Sequence, residues 1–186
     1  MYANSAMSAH DTTLVLVDYQ ARLIPAIHDA ASVTARAVLL ARAAQLLGIP
    51  VLGTEQNPAS LGPNVQAIRD VCARTLAKTH FDACGDGLLE ALRETDDARN
   101  HVVIAGCEAH VCLLQTALGL LRAGKRVFVV ENACGSRRPT DHAAAMARLA
   151  QAGATIVTHE MAMFEWLDDC QHARFKDVLA LVKAGM

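Results

Sequence analysis

The sequence HVVIAGCEAHVCLLQTALGLL, residues 101–121, decides the fold. Its first five residues form an unbroken apolar run, which is typical of a parallel strand that is buried on both faces. The apolar residues from Leu113 to Leu121 recur at helical spacing and predict a helix directly after the strand. Cys112 therefore lies where a buried strand ends and a helix begins, and there the helix dipole can stabilise a thiolate.

The same alternation of short apolar runs and longer helical patterns extends along the chain. The predicted strands are Thr12–Val17, Pro50–Gly53, Leu76–Lys78, His101–Ala105, Arg126–Val130 and Ala154–Val157. The predicted helices are Ala31–Leu47, Asn64–Cys72, Gly87–Arg93, His110–Ala123, Thr140–Ala152, Met161–Leu167 and Phe175–Val182. This alternation indicates an α/β fold built from right-handed parallel βαβ units. In the doubly wound strand order 3-2-1-4-5-6, strands one and four are neighbours at the point where ligands bind.

Length and charge limit the classes of function. The chain has 186 residues and a mass of 19.8 kDa, which fits one domain over 1–186, and its polar first ten residues predict a loose N-terminal arm. The net charge is −2 and no Lys/Arg run occurs, so neither nucleic-acid nor membrane binding is expected. No signal peptide or apolar stretch of spanning length is present, and the six cysteines are expected to be free thiols in the cytoplasm.

Three reactive side chains stand at three predicted strand ends. Asp18 closes the first strand, Lys78 closes the third, and Cys112 follows the fourth. Because the carboxyl ends of parallel strands share one edge of the sheet, we expect one assembled site. Asp18 would accept the thiol proton, and Lys78 would stabilise the thiolate. The cation and the helix start would lower the thiol pKa by a unit or more from about 8.5.

Metal and cofactor chemistry are weaker interpretations of the same residues. His80 and Asp82 lie two apart, and Cys107, His110 and Cys112 cluster, so zinc is the main competing hypothesis. Neither a Cys-x-x-Cys pair nor a His-Glu-x-x-His motif occurs, and glycine-rich nucleotide-binding patterns are absent. The sequence therefore predicts no metal and no cofactor.

At this point the chain resembles the isochorismatase-like cysteine hydrolase family. The matching stretches are Leu16-Val17-Asp18-Tyr19-Gln20, Ala77-Lys78-Thr79-His80-Phe81 and Gly106-Cys107-Glu108-Ala109-His110-Val111-Cys112. The branch called isochorismatase domain-containing proteins is the most similar, on the stretches Thr54-Glu55-Gln56-Asn57-Pro58, Leu61-Gly62, Ala133-Cys134-Gly135-Ser136-Arg137 and Phe175-Lys176-Asp177-Val178.

The resemblance implies a three-layer αβα sandwich around a six-stranded parallel sheet. It also implies an Asp–Lys–Cys catalytic triad, which falls on Asp18, Lys78 and Cys112. A non-proline cis peptide is expected at Cys107–Glu108, where it would direct the Glu108 N–H, with that of Cys112, towards a developing oxyanion. Isochorismatases proper usually lack the cysteine, and nicotinamidases usually carry an Asp-x-His metal motif that this chain lacks.

The leading hypothesis is a metal-independent cysteine hydrolase that cleaves a C–N bond of a small amide or ureido substrate. The intermediate would be a thioester on Cys112. The expected pocket residues are Gln20, Gln56, Phe81 and His110.

Three further expectations accompany this hypothesis. The protein could instead be a non-catalytic metabolite- or partner-binding protein on the same fold, because fold does not determine function. A thiol redox role for Cys107 and Cys112 is a third hypothesis. The apolar segment Met161–Leu167 would form an interface in a homo-oligomer, a dimer or tetramer, or else lie in the core of its own chain.

Overall fold

The fold is a six-stranded parallel sheet covered by helices on both faces. It is described by a computed structural model for residues 6–184. The strands are β1 (Thr12–Val17), β2 (Val51–Gln56), β3 (Arg74–Lys78), β4 (His101–Gly106), β5 (Arg126–Val130) and β6 (Thr155–Val157). Their order is β3-β2-β1-β4-β5-β6, and every neighbouring pair is parallel. The predicted doubly wound sheet is thus confirmed.

Within residues 6–184, eight α-helices form the two outer layers. They are α1 (Ala30–Leu46), α2 (Pro58–Leu61), α3 (Gln66–Arg69), α4 (Leu88–Asp96), α5 (Leu114–Arg122), α6 (Pro139–Gln151), α7 (His159–Leu167) and α8 (Phe175–Ala184). Helix α1 packs against α3, α7 and α8 on one face, while α5 packs against α6 on the other. In the described part of the chain no helix is long and apolar enough to cross a membrane.

The central strands explain why this sequence folds around β1 and β4. All six residues of β1 and all six of β4 are buried, as expected for strands covered on both faces. The two strands are in register, with Val17 beside Gly106 at their carboxyl ends. The residues that follow, Asp18 and Cys107, therefore lie next to each other at the point where the strand order reverses.

Strand β2 extends further than the sequence pattern indicates. The polar residues Thr54, Glu55 and Gln56 were expected in a loop, but they pair with β3 and continue the strand. Pairing between strands satisfies their backbone N–H and C=O groups, and this outweighs the weak intrinsic preference of polar residues for strands. As a result, Gln56 and Lys78 lie side by side at the end of the sheet.

The predicted loose arm over residues 1–10 is only partly covered by the structure. Residues 1–5 lie outside the described residues. Met7 is buried, and its N–H donates to Glu165 Oε2 at 2.8 Å. The arm prediction is therefore wrong from Met7 onwards, because this apolar side chain packs in the core cluster and anchors the backbone.

The segment Met161–Leu167 has both a buried and an exposed apolar face, so it fits each of the two alternatives that its sequence left open, the core and an interface. Met163, Trp166 and Leu167 are buried in the core of the chain. Met161 and Phe164, on the other face of α7, are 48% and 39% exposed. One face of this helix thus belongs to the core, and the other is an apolar surface.

Gly106 permits the close approach of β1 and β4. A Cβ atom at this position would lie 2.6 Å from both the carbonyl oxygen and the Cβ of Val17. We expect Gly106→Ala to reduce the free energy of unfolding by about 1–3 kcal/mol, since the strands would have to separate. Urea denaturation measures this loss. Gly85→Ala is the control, because its Cβ would come no nearer than 3.4 Å to any atom; equal stability of the two variants would contradict the prediction.

Candidate active site

Three side chains meet at the carboxyl ends of the central strands. Asp18 follows β1 in a left-handed backbone conformation, with φ of 55°. Lys78 is the last residue of β3, and its Nζ lies 2.7 Å from Asp18 Oδ2. Cys112 lies in a π-helical turn, Ala109–Leu113, directly before α5. Their relative exposures are 0%, 3% and 4%, so the predicted group of residues is enclosed by protein.

The Lys78 ammonium is surrounded by oxygen atoms. In addition to its ion pair with Asp18, it donates to Gln56 Oε1 at 2.6 Å and to the carbonyl oxygens of His80 and Phe81 at 3.4 and 3.5 Å. An ammonium group has three N–H donors, and these acceptors account for all of them. Lys78 is therefore held as a fixed positive charge between two strand ends.

Asp18 is equally constrained. Its Oδ1 accepts a 2.7 Å hydrogen bond from the Thr54 hydroxyl, while Oδ2 faces the Lys78 ammonium. Thr54 pairs with Val17 in the β1–β2 register, which places its side chain beside the carboxylate. A buried carboxylate needs such partners, because without them its desolvation would be very costly.

The thiol of Cys112 is protonated at rest, contrary to the expectation from sequence. Burial is the main cause that raises its pKa from the ordinary value of 9.0 to about 12; the negative charge of Asp18 raises it further, and Lys78 acts in the opposite direction. The nearby cation and the helix start lower the pKa of the thiol, but the loss of water around the buried sulfur raises it by more. A nucleophilic role for Cys112 would therefore require a base at the moment of attack, and Asp18 is the carboxylate beside it.

This protonation state has a measurable consequence. We expect alkylation of Cys112 by iodoacetamide to be slow at pH 7 and to accelerate about tenfold per pH unit towards pH 12, since only the thiolate reacts. Peptide mass spectrometry after timed labelling measures the rate. In urea-unfolded protein, the alkylation rate of the same cysteine should level off once the pH passes the ordinary thiol pKa of 9.0. A plateau below pH 9 in the folded protein would contradict the assignment.

Gln56 and Gln20 form a clamp beside the triad. The Gln56 N–H donates to Gln20 Oε1 at 2.8 Å, and the Gln20 amide donates back to the Gln56 carbonyl at 3.0 Å. Gln20 also donates to the Gly62 carbonyl at 2.6 Å and is fully buried. The Gln20 side chain thus fixes the backbone of Gln56 and Gly62, whereas Gln56 Oε1 lies 3.9 Å from Cys112 Sγ.

A polar rim joins the loops that follow β4 and β5. Glu108 Oε1 pairs with Arg137 Nε at 2.6 Å, and His110 Nδ1 lies 3.0 Å from the Ser136 hydroxyl. Arg137 Nη2 lies 3.4 Å from His110 Nε2, and an arginine can only donate. His110 therefore accepts at Nε2 and carries its proton on Nδ1 when neutral. Ser136, next to Gly135, also borders a cavity of about 210 Å³.

The fold and these residues match a known family. The model of the isochorismatase domain matches residues 12–161 of this chain. The chain belongs to the isochorismatase family. The resemblance stated from the three strand-end motifs is thereby confirmed, and the chain is a member of the isochorismatase-like hydrolases.

Several curated relatives and solved structures are similar over nearly the whole chain. Isochorismatase domain-containing protein 2A of Mus musculus is 35% identical over 173 residues, which cover 91% of this chain and 82% of the relative. The MAR1 ribonuclease structure from Caenorhabditis elegans has a TM-score of 0.90 at 31% identity, covering 96% of this chain and 93% of that one. The Escherichia coli YcaC gene product, described as an octameric hydrolase of unknown specificity, shares the fold at 22% identity, with a TM-score of 0.86 over 99% of this chain and 98% of that chain.

One expectation drawn from the family resemblance is wrong for this structure. The Cys107–Glu108 peptide is trans, and none of the peptide bonds described for residues 6–184 is cis. The trans form is favoured by about 3–4 kcal/mol. Here the backbone is also hydrogen-bonded before and after this peptide. The Cys107 N–H donates to Val17 O, and the Ala109 N–H donates to Gly135 O. The oxyanion role of Glu108 remains a prediction that cannot rest on a cis bond.

The remaining predicted residues of this isochorismatase-family site are placed as follows. Phe81 is half exposed beyond the end of β3, and its carbonyl, not its ring, faces Lys78. The Cys107 sulfur is fully buried, and burial raises its pKa well above the ordinary value. Over residues 6–184 no group of three His, Cys, Asp or Glu side chains is placed to hold a metal ion.

Sequence reasoning missed residues whose role depends on neighbouring strands. Thr54 lies beyond the predicted end of its strand at Gly53, and Arg137 had no predicted role at the site, yet one bonds Asp18 and the other pairs with Glu108. The parallel register would have revealed Thr54, because it aligns with the residue before Asp18. No signal in the sequence identified the clamp between Gln20 and Gln56.

Proposed function

We propose that this protein is a metal-independent cysteine hydrolase that cleaves a C–N bond of a small amide or ureido substrate. The observation that carries the proposal is the buried Asp18–Lys78 ion pair at 2.7 Å beside the protonated thiol of Cys112. A carboxylate, a fixed cation and a thiol are thus present together, which supports the assignment of a base, a charge-stabilising group and a nucleophile for covalent acyl transfer.

The reaction begins with attack of the sulfur on the substrate carbonyl carbon. The thiol proton passes to the Asp18 carboxylate as the C–S bond forms, and the carbonyl electron pair moves to oxygen. The N–H groups of Cys112 and Glu108 are the proposed donors to this oxyanion. Lys78 keeps its proton and stabilises the negative charge that develops on sulfur.

Collapse of the tetrahedral intermediate breaks the C–N bond. The proton held by Asp18 passes to the leaving nitrogen, which departs as ammonia or an amine and leaves a thioester on Cys112. Water then attacks the thioester carbonyl and gives a proton to Asp18. The C–S bond breaks, the sulfur recovers that proton, and the carboxylic acid is released. Overall, one water is consumed and one amide or ureido bond is hydrolysed.

The charge of the rim supports an uncharged substrate. The Glu108–Arg137 pair is neutral overall, so the rim presents no net charge to bind an ionic group. His110, whose Nδ1 faces the Ser136 hydroxyl and whose Nε2 accepts from Arg137, would contact the substrate at the site entrance. Phe81, half exposed at the end of β3, would cover its apolar part.

The test is a screen of small amides and ureides for ammonia or amine release, combined with intact-protein mass spectrometry. We expect turnover of at least one compound and an acyl mass increment on the Cys112 peptide after acid quench. Ligands that raise the melting temperature without turnover or adduct would favour the alternative of a non-catalytic binding protein on this fold.

RNA belongs in the same screen, because the similar structure from Caenorhabditis elegans is named a ribonuclease. The net charge is −2 and the sequence contains no Lys/Arg run that would bind a phosphate backbone, so we expect no RNA cleavage. Cleavage that persists in Cys112→Ala would identify a contaminant or a separate site. Cleavage that is lost in this variant would replace the amide proposal.

We also propose that the protein is a homo-oligomer. The exposed Met161 and Phe164 form an apolar surface on α7, and the YcaC gene product with the same fold is described as octameric. Light scattering after size exclusion should give a mass well above 19.8 kDa, and a monomeric mass would refute the proposal.

A further inference from the structure

The orientation of the Gln56 side chain is determined by its partners. Its Nε2 group donates to the Thr79 carbonyl at 2.7 Å, and its Oε1 accepts from the Lys78 ammonium at 2.6 Å. A flipped amide would place an NH₂ group against an ammonium and an oxygen against a carbonyl, so only the observed orientation satisfies both partners. The amide oxygen therefore points towards the triad.

The backbone of Gln56 is held as firmly as its side chain. Gln20 bonds both its N–H and its carbonyl, and β3 pairs with it through Lys78. Gln56 is 8% exposed, so solvent water cannot easily replace its bonds. Such a constrained amide makes a rigid support for the cation.

We propose that Gln56 is a positioning residue whose neutral amide oxygen fixes the Lys78 ammonium where one cation serves both the Asp18 carboxylate and the Cys112 sulfur. Its Oε1 lies 3.9 Å from that sulfur and 2.6 Å from the Lys78 Nζ, so the oxygen contacts both the thiol and the cation. The kinetic consequence rests on the proposed hydrolase function, whereas the effect on the thiol does not.

The neutrality of the amide matters because the site already contains balanced charges. The charged side chains that act on Cys112 are Asp18, from the end of β1, and Lys78, from the end of β3. A second carboxylate at position 56 would retain an acceptor for Lys78 but add a negative charge beside the sulfur. An apolar side chain there would remove the acceptor and free one N–H of the ammonium to turn towards the sulfur.

Two near-isosteric variants separate these effects. In Gln56→Glu, we expect the pH at which Cys112 becomes alkylated by iodoacetamide to shift upwards and the rate at pH 9 to fall at least tenfold. In Gln56→Met, we expect the pH at which Cys112 becomes alkylated to shift downwards and the alkylation rate at the same pH to rise. Gln45→Glu, near the far end of α1, is the control and should match the wild type.

The outcomes distinguish positioning from other roles. Shifts in opposite directions, with native circular dichroism, support the proposal; unchanged profiles, or equal shifts in both variants, overturn it. If Gln56→Glu does not fold because of its added charge, the direction in Gln56→Met still decides. Since alkylation needs no substrate, a failure of the hydrolase screen leaves this test intact.

Kinetics on an identified substrate provide the second readout. We expect Gln56→Met to lower kcat at least tenfold with KM changed less than about twofold, because the residue acts through Lys78 and not on the substrate. A raised KM with an unchanged kcat and an unchanged alkylation profile would make Gln56 a substrate contact and overturn the positioning role.

Discussion

Replacement of Cys112 by alanine is expected to reduce hydrolysis by at least about 10³-fold and to abolish the acyl adduct. In the proposed mechanism the sulfur forms the thioester, and removal of a nucleophile that acts together with its base removes nearly all of the catalysis that they share. The fold should be unaffected, because the thiol packs at a helix start and donates only a long contact to Gln56 Oε1.

Cys170→Ala is the matched control, since this cysteine is exposed and distant from the strand ends. Its turnover should equal that of the wild type. Cys112→Ser provides a further comparison, because a hydroxyl of similar size ionises far less readily than a thiol. Full turnover in Cys112→Ala would contradict the covalent mechanism and transfer the chemistry to water activated by Asp18.

Replacement of Lys78 by methionine is expected to destabilise the protein by about 3–5 kcal/mol. The variant leaves the Asp18 carboxylate buried with the Thr54 hydroxyl as its remaining partner, and an uncompensated buried charge is costly. Chemical denaturation with urea, followed by circular dichroism, measures the loss. Turnover should disappear as well, because no cation then stabilises the developing thiolate.

The double variant Asp18→Asn, Lys78→Met tests the cause. It removes both charges, so most of the lost stability should return, while activity stays absent because the base is missing. The exposed pair of Arg93 and Glu90 has the same 2.7 Å separation, and Arg93→Met should cost only about 0–1 kcal/mol. Equal losses in Lys78→Met and Arg93→Met would show that Lys78 carries no buried charge.

Much of the site could be located from sequence because its residues follow strands. Asp18 comes directly after an apolar strand, Lys78 ends one, and Cys112 lies in the turn that follows a third; parallel strands bring their carboxyl ends to one edge. That reasoning needs only periodicity and the handedness of βαβ units. Periodicity gives no distances, so the sequence could not show whether Lys78 and Asp18 form a 2.7 Å ion pair or remain two independent charges.

The protonation of Cys112 shows where local reasoning failed. A helix start and a nearby lysine favour a thiolate, and both are present. Burial opposes them and prevails, because removal of water penalises the charged form of the thiol. Burial depends on every element packed above the site, and no stretch of sequence near residue 112 encodes it.

The sequence by itself determined the six strands, their parallel βαβ connections and the strand ends that carry the reactive groups. These follow from apolar runs and from the short-range rules that govern parallel sheets. Only the tertiary structure decided that Gln20 and Gln56 clamp each other, that Thr54 bonds Asp18 and that the thiol keeps its proton. Hydrogen bonds between strands and exclusion of water are properties of the assembled molecule, since they join residues that lie dozens of positions apart in the chain.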